Sequence, residues 1–406
     1  MNFEFSEEDL RMQAEVRDYL AAAMPADIAR RAAAGFQASK EDIATFTRIL
    51  NNKGWVGRNW PREYGGPGWD HVQADLFQKE LARVNAPHIS YLSVFMVAPV
   101  IFTFGTEEQK AKYLPAIANA DIFFCQGFSE PNAGSDLVSL STTAVRDGDH
   151  YIVNGTKTWT SEAHFADKMF TLVKTDMESK PQRGISFLLI DMDAPGVEMI
   201  PLQMYNHQYT VNEVRLTNVR VPVSERIGEE NKGWDYAKFL LSRERSLVAQ
   251  TWLLRRELDN IKENARKPGV AGGLLMNSKE FRRRVAQLEI QLDALHWQMM
   301  RLLTGAAPNA AAAGAVLKVR GGEMQQQISR LAVDALGPYA NAYVPDPDPS
   351  ENHDLDMSGW TEGAPAFAGD HAPGKLQLSM FRRAVTIFGG SSEVQHNIIA
   401  KTLWGF

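Results

Sequence analysis

Between Asp121 and about Val223 the chain stops reading as helix, and that interruption constrains the fold more than any other feature. The runs there are short, β-branched and aromatic, namely HYIVNGTKTWT, KMFTLVKT, GISFLLIDM and NEVRLTNVRVP, with Asp-Gly, Asn-Gly and Pro-Gly turn signals between them. Short strands joined by tight turns predict an antiparallel β domain, because parallel strands need long crossovers. Helical spacing flanks it on both sides. Ser6 followed by Asp9 reads as a capping-box-like start, with Leu10, Val16 and Leu20 among charged neighbours. The helical character runs to about Asn119, broken by WPREYGGPGWD (Trp60 to Asp70), whose glycines and prolines cannot sit inside a helix. Beyond Gly233 the period returns: Phe281, Val285, Leu288, Leu292 and Leu295 step by four, three, four and three. Residues Val344 to Gly374, rich in Pro, Asp and Gly, predict an extended loop before the last helix. The chain therefore predicts an α+β multidomain fold, with a helical domain at 1–120, a β domain at 121–232 and a helical region at 233–406.

Composition narrows the chemistry. The 406 residues are 44% apolar and 23% charged, enough to bury a large core without covalent staples. A single cysteine, Cys125, excludes a disulfide framework and a multi-cysteine metal site, so a reducing cytoplasm is the simplest home. The net charge of −6 argues against a nucleic-acid or anionic-membrane surface, and leaves room for a small basic pocket for a ligand phosphate. MNFEFSEEDL carries acids where a secretory signal has a basic region, and no stretch approaches the ~20 apolar residues of a membrane span.

Four segments could carry chemistry, and each has an ordinary structural reading beside it. FCQGFSEPNAGSD (Phe124 to Asp136) sets Ser129 and Ser135 around a turn with exposed amides, as either a ligand loop or a plain hairpin. KTWTSEA (Lys157 to Ala163) puts Trp159 two residues before Ser161, on one face of an alternating strand; an indole beside a hydroxyl suits a flat heterocycle, or is simply core. LLSRERSLVA (Leu240 to Ala249) holds Glu244 between two arginines in an apolar helix. Glu244 and Arg245 diverge by about 100°, so one charge turns inward, where desolvation would raise a carboxylate's pKa and make it a base; a surface ion cluster is the commoner reading of such a triplet. TIFGGSSEVQHNIIAK (Thr386 to Lys401) feeds a Gly-Gly turn into a helix N-terminus, a source of unpaired amides.

Taken in order, these four segments, with GTEEQKAKYLP (Gly105 to Pro115) and the Trp60 to Gly66 turn, resemble the acyl-CoA dehydrogenase family from about residue 5 to 406. The resemblance implies an N-terminal helical domain, a middle antiparallel β domain and a C-terminal four-helix bundle, with FAD between the last two. It assigns Phe128 and Ser129 to the pyrimidine side of the flavin ring and Trp159 and Ser161 to its cover near N5. Ser135 is assigned to the CoA portion, and Ser391 and Glu393 to flavin contacts, Glu393 departing from the glutamine common there. Many members carry the catalytic glutamate just before the glycine of the C-terminal turn. Here that position is Gly389, whose backbone N–H remains as the donor to the thioester oxygen. Other members place the base on the first long C-terminal helix before an arginine, which matches Glu244, with Arg245 beside the substrate.

The implied reaction is α,β-dehydrogenation of an acyl-CoA to the 2,3-enoyl-CoA, with electrons passing to an electron-transfer flavoprotein or similar acceptor. The volume freed at Gly389 points to a branched, dicarboxylic or polycyclic acyl group, as in lipid or steroid catabolism. Members that form homotetramers clamp the neighbour's FAD with an Arg and a Phe-Gly pair. ENARKPGVAGGLLMN (Glu263 to Asn277) keeps Arg266 without an aromatic residue, so a hetero-oligomer with a homologous subunit is expected. The rival readings are a flavin oxidase or monooxygenase on the same scaffold, and a non-catalytic partner subunit.

Overall fold

The computed structural model describes residues 5–34, 38–206, 208–247, 250–268, 273–341 and 374–406. The chain forms helices, then a sheet, then helices. The first part holds α1 (Glu7–Ala23), α2 (Ala26–Ala34), α3 (Lys40–Asn51), α4 (His71–Arg83), a π-helical turn at Leu92–Val97 running into α5 (Ala98–Phe104), and α6 (Glu107–Ala118). The Ser6–Asp9 capping box is present, and Val16 and Leu20 are buried. Leu10 is 50% exposed, because it falls off the narrow buried stripe that Gln13, Val16 and Leu20 define. The Trp60–Asp70 segment is a turn, as its glycines and prolines require. Its anchor is Trp60, buried, with Nε1 donating to Val94 O at 2.9 Å.

Eight strands follow: β1 (Phe124–Gly127), β2 (Thr143–Asp147), β3 (His150–Ser161), β4 (Lys168–Lys174), β5 (Ile185–Asp191), β6 (Val197–Leu202), β7 (Val211–Pro222) and β8 (Arg226–Ile227). They form one sheet ordered β6-β7-β3-β2-β4-β5-β8, with β1 beside β4. Most neighbours are antiparallel, but β1 and β2 each pair with β4 in parallel. The domain is thus mainly antiparallel, as expected, and residues 128–142 and 148–167 supply the chain needed for the two parallel returns.

The last part holds α7 (Gly233–Leu247), α8 (Thr251–Asn264), α9 (Lys279–Leu303), α10 (Ala310–Leu336), a short helix at Lys375–Phe381 and the C-terminal helix Ser392–Trp404. Phe281, Val285, Leu288, Leu292 and Leu295 line the buried face of α9, as their spacing requires. Most of the Val344–Gly374 loop expected from composition lies outside the described residues.

Three of the apolar clusters among the described residues organise these parts. One is shared by the N-terminal helices, β1, one face of β4 and β5, and α7, through Phe170, Phe187, Tyr236 and Leu240. A second packs the opposite sheet face, from Tyr151 to Val221, and a third joins α8, α9 and α10. α7 belongs to the first core and α8 to the third.

The Trp60–Asp70 turn gives a direct test. Gly65 is left-handed (φ +87°) with open space where a Cβ would go, whereas a Cβ on Gly66 would overlap the Trp60 carbonyl. Gly65→Ala should cost about 1–2 kcal/mol of stability from backbone strain alone. Gly66→Ala should cost more, with a lower denaturant midpoint, because backbone atoms cannot move aside as a side chain can. Equal midpoints for the two variants would contradict this turn geometry.

Candidate active site

Period two along β3 starts Tyr151, Val153 and Lys157 on the buried face, and continued alternation would bury Trp159 as well. A bulge prevents this. Lys157 pairs with Val214 and Thr160 with Asn212, so β3 spends one extra residue there. Trp159 takes up the slack in the left-handed region, at φ +57°. Thr160 becomes the buried residue, and Trp159 (63% exposed) and Ser161 turn outward together. A left-handed tryptophan with an exposed indole costs free energy in the isolated chain twice over, in strain and in apolar exposure.

The segment after β1 lies next to this bulge. Phe128 is buried edge-on against Phe170 and Phe187 at 5.7 and 6.1 Å, while Ser129 is half-buried and its carbonyl accepts from Thr158 N at 2.9 Å. The following turn closes on itself, with Glu130 and Ala133 exchanging backbone hydrogen bonds of 2.9 and 3.0 Å, so those two amides are not offered to a ligand. Ser135 is exposed at the far side of the turn.

Sequence reasoning missed the pair that binds these segments together. Lys157 Nζ donates to Glu130 Oε1 at 2.8 Å, to Leu172 O at 2.7 Å and to Phe128 O at 3.4 Å. Glu130 in turn accepts from Ser141 N and Oγ and from Thr142 N, at 2.6 to 3.0 Å. Burial pushes the Glu130 carboxyl up, but the Lys157 ammonium and these donors outweigh it and hold it at about 2. Burial lowers Lys157 to about 8, partly offset by Glu130, so both are charged at neutral pH. A lysine in phase with Tyr151 and Val153 was the sequence signal for it.

The C-terminal turn is built with equal care. Gly389 and Gly390 are both left-handed (φ +65° and +87°), and a Cβ on Gly390 would strike the Gln395 amide. Ser391 caps the helix Ser392–Trp404, accepting from Val394 N at 3.3 Å. Glu393 is exposed, and hydrogen bonds from its own amide and the Ser391 hydroxyl lower its pKa. Gln395 is buried and its Oε1 has no partner. The residues just before the turn are fixed by Arg382, which grips Glu257 of α8 with two 2.7 Å bonds, and by Lys318 of α10, which donates to Val385 O at 2.8 Å.

The sheet and this C-terminal region meet beside Ser161. Ser161 pairs with Val211 across from Leu202, and in the loop between those last two Tyr205 Oη donates to Met380 O at 2.7 Å, with Asn206 Nδ2 donating to Gln377 O at 3.4 Å. The Trp159–Ser161 end of β3 therefore lies toward the helices that carry the glycine turn. Glu244 and Arg245 lie on α7; their side chains are outside the described residues.

α8 runs to Asn264, Pro268 and Leu274 form a β-bridge, and Leu275–Asn277 makes a 3-10 turn; residues 269–272 lie outside the described ones. Ala265, Lys267, Gly273, Leu274 and Leu275 border a cavity of about 360 Å³, closed by the end of α10 and by Lys375. Cys125 is fully buried, which pushes its thiol pKa up. Among the described residues there is no group of three metal-ligating side chains, and no helix is long and apolar enough to cross a membrane.

A helical part, a single sheet and a helical part follow one another in the order that the resemblance implies. The comparisons agree along the whole length. Models of the acyl-CoA dehydrogenase N-terminal, middle and C-terminal domains match residues 6–121, 125–219 and 231–404, and the chain belongs to that family of oxidoreductases. It is 32% identical to acyl-CoA dehydrogenase FadE26 of Mycobacterium tuberculosis, covering 100% of this chain and 98% of that one. It is 31% identical to acyl-CoA dehydrogenase IpdE1 of the same organism, at 97% and 96% coverage. Among solved structures, the Tcur3481-Tcur3483 steroid ACAD matches with TM-score 0.82 and 30% identity over 100% of this chain and 99% of that one. The ChsE4-ChsE5 complex from Mycobacterium tuberculosis matches with TM-score 0.81 and 31% identity, also over 100% and 99%.

The buried pair makes two testable statements. Glu130→Gln or Lys157→Met alone should cost about 3–5 kcal/mol by leaving one buried charge unpaired, and the double variant should cost less than the two summed. A carboxyl held below its unfolded value stabilises the fold above the ordinary carboxylate range, and that contribution is lost as pH falls toward about 2. Denaturant titrations from neutral to acid pH should therefore show a steeper acid loss for the native chain than for Glu130→Gln. Additive single costs and parallel acid limbs would contradict the pairing.

Proposed function

We propose that the chain binds FAD and removes the α-proton and β-hydride of an acyl-CoA thioester to give the 2,3-enoyl-CoA, with Glu244 as the base. The observation that carries the reading is the strained, outward Trp159, an apolar surface with the shape and position to cover a flat ring. The orphaned Oε1 of buried Gln395, one turn into the helix that follows Gly389–Gly390, fits a site that takes further polar atoms from a ligand.

Ser129, Trp159 and Ser161 would hold the ring, Ser391 and Glu393 would contact its polar edge, and Ser135 would meet the CoA portion from its exposed turn. When bound, FAD supplies the hydride acceptor. The chain supplies the proton transfer. An α-hydrogen beside a thioester is too weakly acidic for a carboxylate in water, so the site must stabilise the enolate oxygen, a role the Gly389 N–H can fill. Burial under substrate raises a carboxyl pKa, which brings Glu244 nearer the acidity it must match.

Gly389 adds no side chain beside the acyl group, which favours a bulky substrate. The Tcur3481-Tcur3483 steroid ACAD and the ChsE4-ChsE5 complex share the fold over the full length, and they support a steroid-type polycyclic acyl-CoA and an assembly with a homologous subunit. An electron-transfer flavoprotein would collect the electrons.

Glu244→Gln should keep FAD content and lower the rate of flavin reduction by at least ~10²-fold. Near-native turnover would move the base elsewhere. Trp159→Ala should lower FAD per chain or change the flavin spectrum, and an unchanged spectrum and FAD content would make Trp159 a surface residue only. Expression alone and with a similar subunit, with FAD per chain and mass in solution measured, tests the assembly; a fully active homotetramer with one FAD per chain would rule out the heteromer.

A further inference from the structure

Arg58 lies between α3 and the Trp60–Asp70 turn and is 8% exposed. Its guanidinium carbon stands 4.1 Å from the centre of the Phe95 ring, and the Phe95 and Tyr91 rings lie 6.0 Å apart. Its hydrogen-bond partner among the described residues is Gln78 of α4, whose amide oxygen, turned toward it, accepts from Nε, Nη1 and Nη2 at 3.0, 3.1 and 3.2 Å. One neutral oxygen thus serves a group with five N–H donors. Buried cations elsewhere are matched in charge: Lys157, Lys168 and Arg382 face the carboxylates of Glu130, Asp191 and Glu257. Among the described residues no carboxylate pairs with Arg58. Burial pushes its guanidinium down to about 10, with Tyr91 offsetting a part, so it stays charged at neutral pH.

The surface that Arg58 stacks on is itself unusual. Leu92–Val97 is a π-helical turn, a rare form that is concentrated at functional sites. It packs against β1 and α7, and its Phe95 shares one apolar cluster with Phe128, just after β1, and with Leu240 of α7. Ser93 Oγ accepts from Phe124 N of β1 at 2.9 Å. On the other side, Trp60 Nε1 donates to Val94 O at 2.9 Å, which fixes the segment holding Arg58 to the same turn. Tyr91 and Gln78 are half-buried, so the guanidinium lies at an edge of this core and not at its centre.

We infer that Arg58 is a specificity-determining residue that receives, beside Phe95 and the π-helical turn, an oxygen acceptor at the end of the acyl group remote from the thioester, either a carboxylate or a ring ketone. The inference rests on the acyl-CoA reading of the site, in which α7 and the segment after β1 flank the acyl group; the turn that packs against both is then its third wall. A guanidinium that has lost its water without gaining a carboxylate is stabilised strongly by an incoming anion or carbonyl, because its alternative is to stay uncompensated. A hydrocarbon end leaves it in that state and binds less well. If Arg58 served the fold alone, apolar packing of similar volume would do as well or better.

The test uses three acyl-CoAs of one polycyclic skeleton whose remote end is a carboxylate, a ketone or a methylene, with the FAD-loaded enzyme and whatever subunit it assembles with. Affinity is read by calorimetry on their 2,3-enoyl forms, which cannot be dehydrogenated, and anaerobic flavin reduction is read on the saturated forms. The native enzyme should bind the carboxylate or the ketone form about tenfold or more tighter than the methylene form. Arg58→Met should bind all three alike with FAD content unchanged, and Arg58→Lys, which keeps the charge without the fork, should keep part of the preference. Because the preference is a ratio between ligands on one protein, partial unfolding of a variant leaves it readable. Tighter binding of the carboxylate form assigns the site to a second acid group, and tighter binding of the ketone form to a neutral ring oxygen. Equal affinities in the native enzyme, no binding of any form, or a preference that survives in Arg58→Met overturns the inference. A preference that Arg58→Met abolishes, without flavin reduction by any of the three, overturns the proposed reaction and leaves the role of Arg58 standing.

Discussion

Two opposite charges sealed inside the sheet tie together the segment after β1, the approach to β2, β3 and β4. The side chains of Glu130 and Lys157 are 3% and 0% exposed, so each has given up nearly all its hydration. Such a pair is tolerable only if the remaining donors and acceptors are met, and here the two receive or make contacts with Phe128, Ser141, Thr142 and Leu172. Those partners belong to the segment after β1, the approach to β2, and β4. The outward positions Ser129 and Trp159 flank the pair in sequence, so a ligand surface made from them would inherit its rigidity. A second buried grip, Arg382 on Glu257, does the same for the glycine turn at the other side of the site.

The chemistry then divides between two parts of the chain. Gly389 and Gly390 offer backbone at a helix N-terminus, where no side chain competes with a ligand. The proposed base, Glu244, lies on α7, whose earlier residues Tyr236 and Leu240 pack into the core shared with the N-terminal helices and the sheet. Family membership fixes the class of reaction, and these local devices bear on which acyl group fits and how fast the proton leaves.

Much of this was legible in the residues, and the parts that were not share a cause. The Ser6 capping box, the Trp60–Asp70 turn and the α9 stripe are local patterns, and local patterns survive into the structure. Trp159 and Ser161 were read onto one face and do share it, but through a bulge that alternation alone would not supply. The parallel returns of β1 and β2 to β4 depend on which strands meet, which no single segment encodes. The Glu130–Lys157 pair joins residues 27 positions apart, beyond the reach of periodicity, although an inward-phased lysine was a visible hint of it.

The central claim is flavin-dependent loss of two hydrogens from C2 and C3 of an acyl-CoA. Its most direct measurement is anaerobic mixing of the purified holoenzyme with a steroid-type acyl-CoA, following the flavin absorbance and the mass of the thioester together. The account requires bleaching of the oxidised flavin in step with a product two hydrogens lighter that carries a 2,3 double bond. Purified protein without flavin, or flavin reduction that leaves the thioester intact or adds oxygen to it, would contradict it.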